Sequence, residues 1–206
     1  MTRKGTTGRW YQKQVSDPFV KAREKQGLRS RAAFKLTELI DRDRLLRPGA
    51  VVLDLGASPG GWSQIAAPAV GAKGLVVAVD VLPMTHLAGV DFILGDCREA
   101  STIEAVTAAL GGRAVDLVLS DMAPNLTGIR DTDEARSLEL AETALDACAQ
   151  FLKPGGALLM KLFQHADTER FLRDLRIRFE RIARRKPAAS RPESREFYVV
   201  ATGFKG

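Results

Sequence analysis

Lys161 is the residue in this chain whose setting most plainly calls for chemistry. It interrupts the apolar run Leu158-Leu-Met-Lys-Leu-Phe163. A lysine among aliphatic neighbours in a buried strand is desolvated unless it is paired. Desolvation favours the neutral amine, which can accept a proton near neutral pH. A second feature is the loop Asp54-Leu-Gly56-Ala-Ser58-Pro-Gly60-Gly61-Trp62. Glycines allow positive φ and close approach of backbone to a ligand. A helix starting at such a loop offers free N–H groups to an anion. The spacing is not G-x-G-x-x-G, because Ala57 and Ser58 occupy the middle and Pro59 precedes Gly60. Asp80 follows the loop by about twenty residues, where a carboxylate can accept from both hydroxyls of a ribose. Asp96, in Gly-Asp-Cys, can accept from an exocyclic adenine amine. Loop, ribose carboxylate and adenine carboxylate together describe a ligand containing adenosine. NAD and S-adenosylmethionine both satisfy that description. Taken singly, Lys35 reads as a surface lysine, Asp121 as a turn cap and Glu196 as a surface charge beside Arg195. Their combination makes a site the better reading.

The elements that must position these residues alternate. Ser30 is expected to cap a helix running to about Leu46 and stopped by Pro48. Its apolar face is Ala32, Ala33, Leu36, Leu39 and Ile40, with Lys35 on the border. Residues 50–56, 75–80 and 91–96 read as buried strands, and 115–121 and 156–163 as a fourth and fifth. Helices are expected near 61–69, 98–110, 133–152 and 167–177, the third closed by Pro154-Gly155-Gly156. Residues 179–185 and 196–204 read as two strands with no helix between them, hence an antiparallel hairpin. The fold class is therefore α/β, a doubly wound, mostly parallel sheet of seven strands with one antiparallel strand and helices on both faces. In such sheets ligands bind at the carboxyl ends of the strands. Gly56, Asp80, Asp96, Asp121 and Lys161 all stand at or near those ends. An antiparallel last strand would begin, with Glu196, at the same rim.

Composition sets the outer bounds. A chain of 206 residues fits one domain with a sizeable core, and 45% hydrophobic with 27% charged residues excludes overall disorder. No apolar run reaches the length of a membrane span, and the charged start MTRKGTTGRW is no secretory signal. The two cysteines, Cys97 and Cys148, make neither a disulfide framework nor a metal site, so a reducing cytoplasmic setting is expected, with Cys97 a packing residue. The net charge of +6 is uneven. Residues 1–29 hold 8 Lys/Arg against 2 Asp/Glu, residues 170–195 hold 10 against 3, and the remainder 13 against 20. Residues 1–29 read as a basic extension and 30–206 as the catalytic domain. Two basic segments on an acidic body point to nucleic acid or another polyanion. Trp10, Tyr11 and Phe19 in the extension suit base stacking or anchoring equally.

Five stretches in order resemble one family: Ser30-Arg-Ala-Ala-Phe-Lys35-Leu, the glycine loop through Trp62-Ser-Gln, Ser120-Asp-Met-Ala-Pro-Asn125, Lys161-Leu-Phe-Gln164 and Ser194-Arg-Glu-Phe-Tyr198. The chain is similar to the FtsJ/RrmJ family of S-adenosylmethionine-dependent RNA ribose 2′-O-methyltransferases, from about residue 9 to the end. The family's loop usually has Ala where this chain has Ser58. The resemblance implies a Rossmann-like methyltransferase fold whose last strand lies antiparallel between strands five and six. It implies Lys161 as catalytic lysine, with Lys35, Asp121 and Glu196 completing a tetrad. Gly56, Gly60, Gly61, Trp62, Asp80, Asp96 and Asp121 would bind S-adenosylmethionine, leaving S-adenosylhomocysteine as product and requiring no metal. It implies a uridine of the 23S rRNA A-loop in the large ribosomal subunit as target, with neither DNA nor membrane as partner, and a monomer. Two other readings are an NAD-dependent oxidoreductase and a non-catalytic RNA-binding ribosome-assembly factor. The first lacks an intact G-x-G-x-x-G and an evident hydride-transfer acid. An intact tetrad argues against the second.

Overall fold

The computed structural model describes residues 18–125, 127–191 and 194–206. Seven strands form one sheet: β1 (Val51–Leu55), β2 (Leu75–Asp80), β3 (Asp91–Leu94), β4 (Val115–Ser120), β5 (Leu152–Phe163), β6 (Phe179–Arg185) and β7 (Glu196–Phe204). Their order is β3-β2-β1-β4-β5-β7-β6. The pairs among β1 to β5 are parallel, and β7 runs antiparallel to both β5 and β6. Among the described residues there are six helices: α1 (Pro18–Lys25), α2 (Ala32–Asp43), α3 (Gly61–Val70), α4 (Ala100–Leu110), α5 (Arg130–Phe151) and α6 (Thr168–Arg178).

The alternation of side chains along each strand divides the core in two. Val51, Leu53 and Leu55 face α4, α5 and α6, together with Val118, Leu158, Met160 and Val199. Val52, Val76, Ala78, Leu117, Leu119, Leu159, Tyr198 and Val200 face α2 and α3, against Leu36, Leu39, Trp62 and Ala66. Extending each strand by the same period of two puts Asp54, Asp80, Asp121, Lys161 and Glu196 on the α2/α3 side.

Several boundaries differ from expectation. Helix α2 ends a turn early, at Asp43, because Arg44 takes the left-handed conformation (φ 52, ψ 47) and the Leu45 N–H closes on the Ile40 carbonyl. Ser30 does not cap it: no side-chain cap bond forms, and Ser30 Oγ is buried without a partner among the described residues. Helix α5 begins at Arg130, where the Asp133 carboxylate accepts the Thr127 and Gly128 N–H groups at 2.8 and 3.1 Å. Pro154-Gly155-Gly156 does not follow a loop but lies inside β5, which starts at Leu152 opposite Val115 and shifts register before Leu117. Strand β3 is not buried on both faces; it is a sheet edge with Leu94 exposed.

Of the basic extension, residues 1–17 lie outside the described residues, and Trp10 and Tyr11 with them. Phe19 packs on Phe34 of α2 with ring centroids 5.5 Å apart. Among the described residues no helix is long and apolar enough to cross a membrane.

Candidate active site at the carboxyl rim of the sheet

Strand β5 carries Lys161 to the rim, directly opposite Tyr198 on β7. Its ammonium nitrogen lies 3.0 Å from Asp121 Oδ1 and 2.5 Å from the Asp121 carbonyl. Helix α2 supplies Lys35, whose nitrogen lies 2.5 Å from Glu196 Oε1 and 3.1 Å from the Tyr198 hydroxyl. The Tyr198 hydroxyl in turn donates to Asp121 Oδ1 at 3.0 Å. Lys35, Asp121, Lys161 and Glu196, from four separate elements, are thus joined in one chain of contacts, and Tyr198 is the link. The side chains of Lys35 and Lys161 are 10% and 8% exposed, so both ion pairs are largely removed from water.

In the sequence Tyr198 stands only as the end of a family-like stretch, with no role given to it. The signal was available: it stands two residues from Glu196 on one strand and therefore shares its face. Burial first, then the charges of Asp121 and Glu196, push its phenol far above the ordinary range, so it stays a proton donor. Burial alone would raise the Glu196 carboxyl. The hydrogen bond and charge of Lys35 outweigh that and hold it below its ordinary value.

The glycine loop lies beside this cluster. Gly56 and Gly60 have φ of 70° and 100°, a region L side chains avoid. A Cβ on Gly56 would lie 2.6 Å from Met122 Cγ, and one on Gly60 would lie 2.6 Å from Met84 Sδ. Gly61 answers a packing need, since its Cβ would lie 2.0 Å from Ser30 Oγ. The Trp62 ring is turned into the core, with its indole N–H on the Ala32 carbonyl at 2.9 Å and its ring 5.8 Å from that of Tyr198. Asp80 closes β2 and accepts the Ser58 and Leu82 N–H groups, both at 2.8 Å. Asp96 follows β3, and both its oxygens are held by the Arg98 guanidinium, which also reaches Glu139 at 2.6 Å. That hydrogen bonding keeps the Asp96 carboxyl below its ordinary value. Burial pushes the Cys97 thiol up, with Asp96 adding to it, which suits a packing residue.

In the sequence Asp54 marks only the start of the loop. It is fully buried, takes the Ser63 hydroxyl at 2.6 Å on Oδ2, and leaves Oδ1 without a partner among the described residues. Burial raises its carboxyl to about 7, Ser63 opposes this, and the charges of Asp121 and Asp80 add to it. An orphaned carboxyl oxygen on the strand that leads into two positive-φ glycines fits a cofactor that brings a cation and needs close backbone approach. Among the described residues no group of three or more His, Cys, Asp or Glu could hold a metal.

Beyond the tetrad the surface is basic. Arg31, Lys35, Ala189, Arg191, Ser194 and Glu196 line a concavity of about 330 Å³. The β6–β7 loop that carries Arg191 and Arg195 is pinned to α2. Arg185 binds Asp43 at 2.9 and 2.5 Å, Arg31 donates to the Ala189 carbonyl, and Glu38 accepts the Ala188 N–H at 2.8 Å. Lys186 closes the loop by donating to the Ser194 and Glu196 carbonyls at 2.5 and 2.8 Å.

Comparison with known proteins identifies the family. Residues 28–204 match the FtsJ-like methyltransferase family. A protein of Stutzerimonas stutzeri called ribosomal RNA large subunit methyltransferase E is 50% identical over 206 residues, all of both chains. One of the same name from Xanthomonas campestris pv. campestris is 51% identical over 202 residues, 98% of this chain and 96% of its own. The crystal structure of a ribosomal RNA methyltransferase from Plasmodium falciparum superposes with a TM-score of 0.78 at 27% identity, covering 86% of this chain and 99% of that one. These matches support neither the nicotinamide reading nor a purely structural RNA-binding role. The family match and the full-length relatives both span nearly the whole chain, and the protein belongs to the FtsJ-like methyltransferase family.

Proposed function

We propose that this methyltransferase moves a methyl group from S-adenosylmethionine to a ribose 2′-hydroxyl of large-subunit ribosomal RNA, a uridine of the 23S A-loop, in the cytoplasm. The observation that carries the proposal is the continuous contact from Lys35 through Tyr198 and Asp121 to Lys161 at the rim beside the glycine loop. The names of the curated relatives support the RNA substrate. S-adenosylmethionine, when bound, supplies a methyl group already attached to a good leaving group. Asp80 would hold its ribose, Asp96 its adenine amine and the backbone at Gly56, Gly60, Gly61 and Trp62 its polar end, with Asp54 and Asp121 at the same end of the pocket.

The chain's own work is to hold a poor nucleophile in line and relieve it of its proton. Alignment of this kind can be worth several kcal/mol, roughly. Lys161 directs two N–H bonds at Asp121, one at Oδ1 and one at the main-chain carbonyl, and loss of its third proton leaves that direction open. The lone pair is then the valence left for the hydroxyl proton. Asp121 fixes that direction, Tyr198 fixes Asp121, and Lys35 with Glu196 fixes Tyr198. The ribose 2′-hydroxyl is absent from DNA, so the reaction selects RNA. Exposed Arg191 and Arg195, with the basic extension at residues 1–29, would hold phosphates on either side of the target. The protein acts as a monomer on this reading.

The test is methyl transfer to ribosomal RNA and to large-subunit particles, with the modified nucleoside identified after digestion. A 2′-O-methyluridine, a rate rising with pH and RNA affinity falling steeply with salt are expected. A base-methylated product would overturn the ribose assignment, and a pH-independent rate the proton transfer to Lys161.

A further inference from the structure

The end of the basic extension is built into the donor side of the site. Gln64, on α3, accepts the Arg29 N–H at 2.9 Å and donates to the Gly27 carbonyl at 3.0 Å. Ser30 lies directly on Gly61, where no Cβ fits. The Arg29 guanidinium then reaches across two loops. Nη1 donates to the Pro59 carbonyl at 3.2 Å and to the Thr85 carbonyl at 2.8 Å, and Nη2 to the His86 carbonyl at 2.7 Å. It lies over Gly60, whose Cβ would come within 2.9 Å of Nη1. The same two loops are also joined by Ser58, whose N–H meets Asp80 and whose hydroxyl donates to the Pro83 carbonyl at 3.1 Å.

We propose that Arg29 is a positioning residue for the methyl donor: its guanidinium staples the glycine loop after β1 to the loop after β2, setting the spacing between Gly60 and Asp80. The inference rests on the proposed donor site. A planar fork is suited to this task, because its donors leave at fixed angles and serve several carbonyls at once. A lysine has the charge but neither the fork nor the reach. With three carbonyls occupying it, the Arg29 guanidinium is a brace for the pocket wall and is the exception to the phosphate-holding role of the extension, whereas Arg191 and Arg195 are exposed.

The experiment uses the full chain and compares wild type, Arg29→Lys, Arg29→Ala and Gln64→Leu. Three quantities are read: the Kd of S-adenosylhomocysteine by calorimetry without RNA, the Kd of ribosomal RNA, and the split of KM from kcat. A brace predicts that donor affinity falls about tenfold in both Arg29 variants, lysine giving no rescue. KM for the donor rises in parallel, while kcat at saturating donor and RNA affinity stay within about twofold. Gln64→Leu keeps Arg29 but frees the segment carrying it, and should weaken the donor about threefold in a chain whose fold is otherwise untouched. Unchanged donor affinity in Arg29→Ala and Gln64→Leu would overturn the inference. So would full rescue by lysine, or loss of RNA affinity with donor affinity intact, which would make Arg29 a phosphate ligand. Wild-type protein that takes up no S-adenosylhomocysteine would instead overturn the donor site itself, and the brace with it.

Discussion

Strands β4 and β5 carry two clusters of similar composition at opposite ends. At the carboxyl end Asp121 meets Lys161, and Tyr198 extends the contact to Lys35 and Glu196. At the amino end Asp116 meets Lys153 and, at 2.9 Å, Arg47, and its second oxygen accepts the Val51 N–H at 2.8 Å. The cations at the amino end stand in water: the Arg47 side chain is 67% exposed and that of Lys153 37%. There the burial of Asp116, which alone would raise its carboxyl, is outweighed by Lys153, Val51 and Arg47, and the carboxyl is held low. At the carboxyl end Asp54, close by, carries a carboxyl raised by burial to about 7. The amino-end cluster supports the fold; at the carboxyl end the Lys35–Glu196 pair does so too, and the strain sits on Asp54 beside it. Residue type alone does not distinguish them; solvent and the pairing of every buried oxygen do.

The widest separation comes from the two lysines. Lys161→Ala should lower methyl transfer about a thousandfold or more while S-adenosylhomocysteine still binds by calorimetry. Lys153→Ala should leave the rate within about twofold. Equal rates in the two variants would erase the distinction.

Charge removal should act on stability with opposite signs. Asp54 has a folded value above its free one, so its ionisation opposes folding increasingly as pH rises from about 4 to about 7. Asp54→Asn should therefore melt higher than wild type at pH 8, by the equivalent of a few kcal/mol, roughly, and the gap should close toward pH 4. For Asp116 the folded value is the lower one, so its contribution is present above the free carboxylate range and lost as pH falls through the folded value. Asp116→Asn should cost about 1 kcal/mol at pH 8, tempered by the exposure of its partners, and less in acid. Thermal melts of both variants across that range test the sign.

The smallest effect sharpens the contrast most. Tyr198→Phe keeps the ring and removes the one hydroxyl that links the two ion pairs. Turnover should fall about threefold with RNA affinity unchanged. Wild-type turnover in this variant would mean that the pairs act separately.

Much of this was legible in one dimension. Strands β2, β6 and β7 fall at the bounds the residue pattern predicted, because strand pattern and length are local properties. Lys161 and Asp121 stood out because a charge at the end of an apolar strand is visible as a break in pattern. Tyr198 and Asp54 did not, since an aromatic residue inside a strand reads as core and an aspartate in a glycine loop as part of the turn. The hold of Arg98 on Asp96, two residues away, is local and could have been anticipated as an i, i+2 pair. That of Arg29 on His86 is not.

By itself the sequence determined the alternation of elements, the rim on which the polar residues stand and, through the period of two, the face from which they project. Only the tertiary structure decided which of them touch. Lys35 and Glu196 are 161 positions apart, and nothing near either one encodes the other. They meet because β7 inserts beside β5 and α2 packs across that face. Strand pairing and helix docking are settled by how the whole chain buries its apolar surface, a property no local window contains.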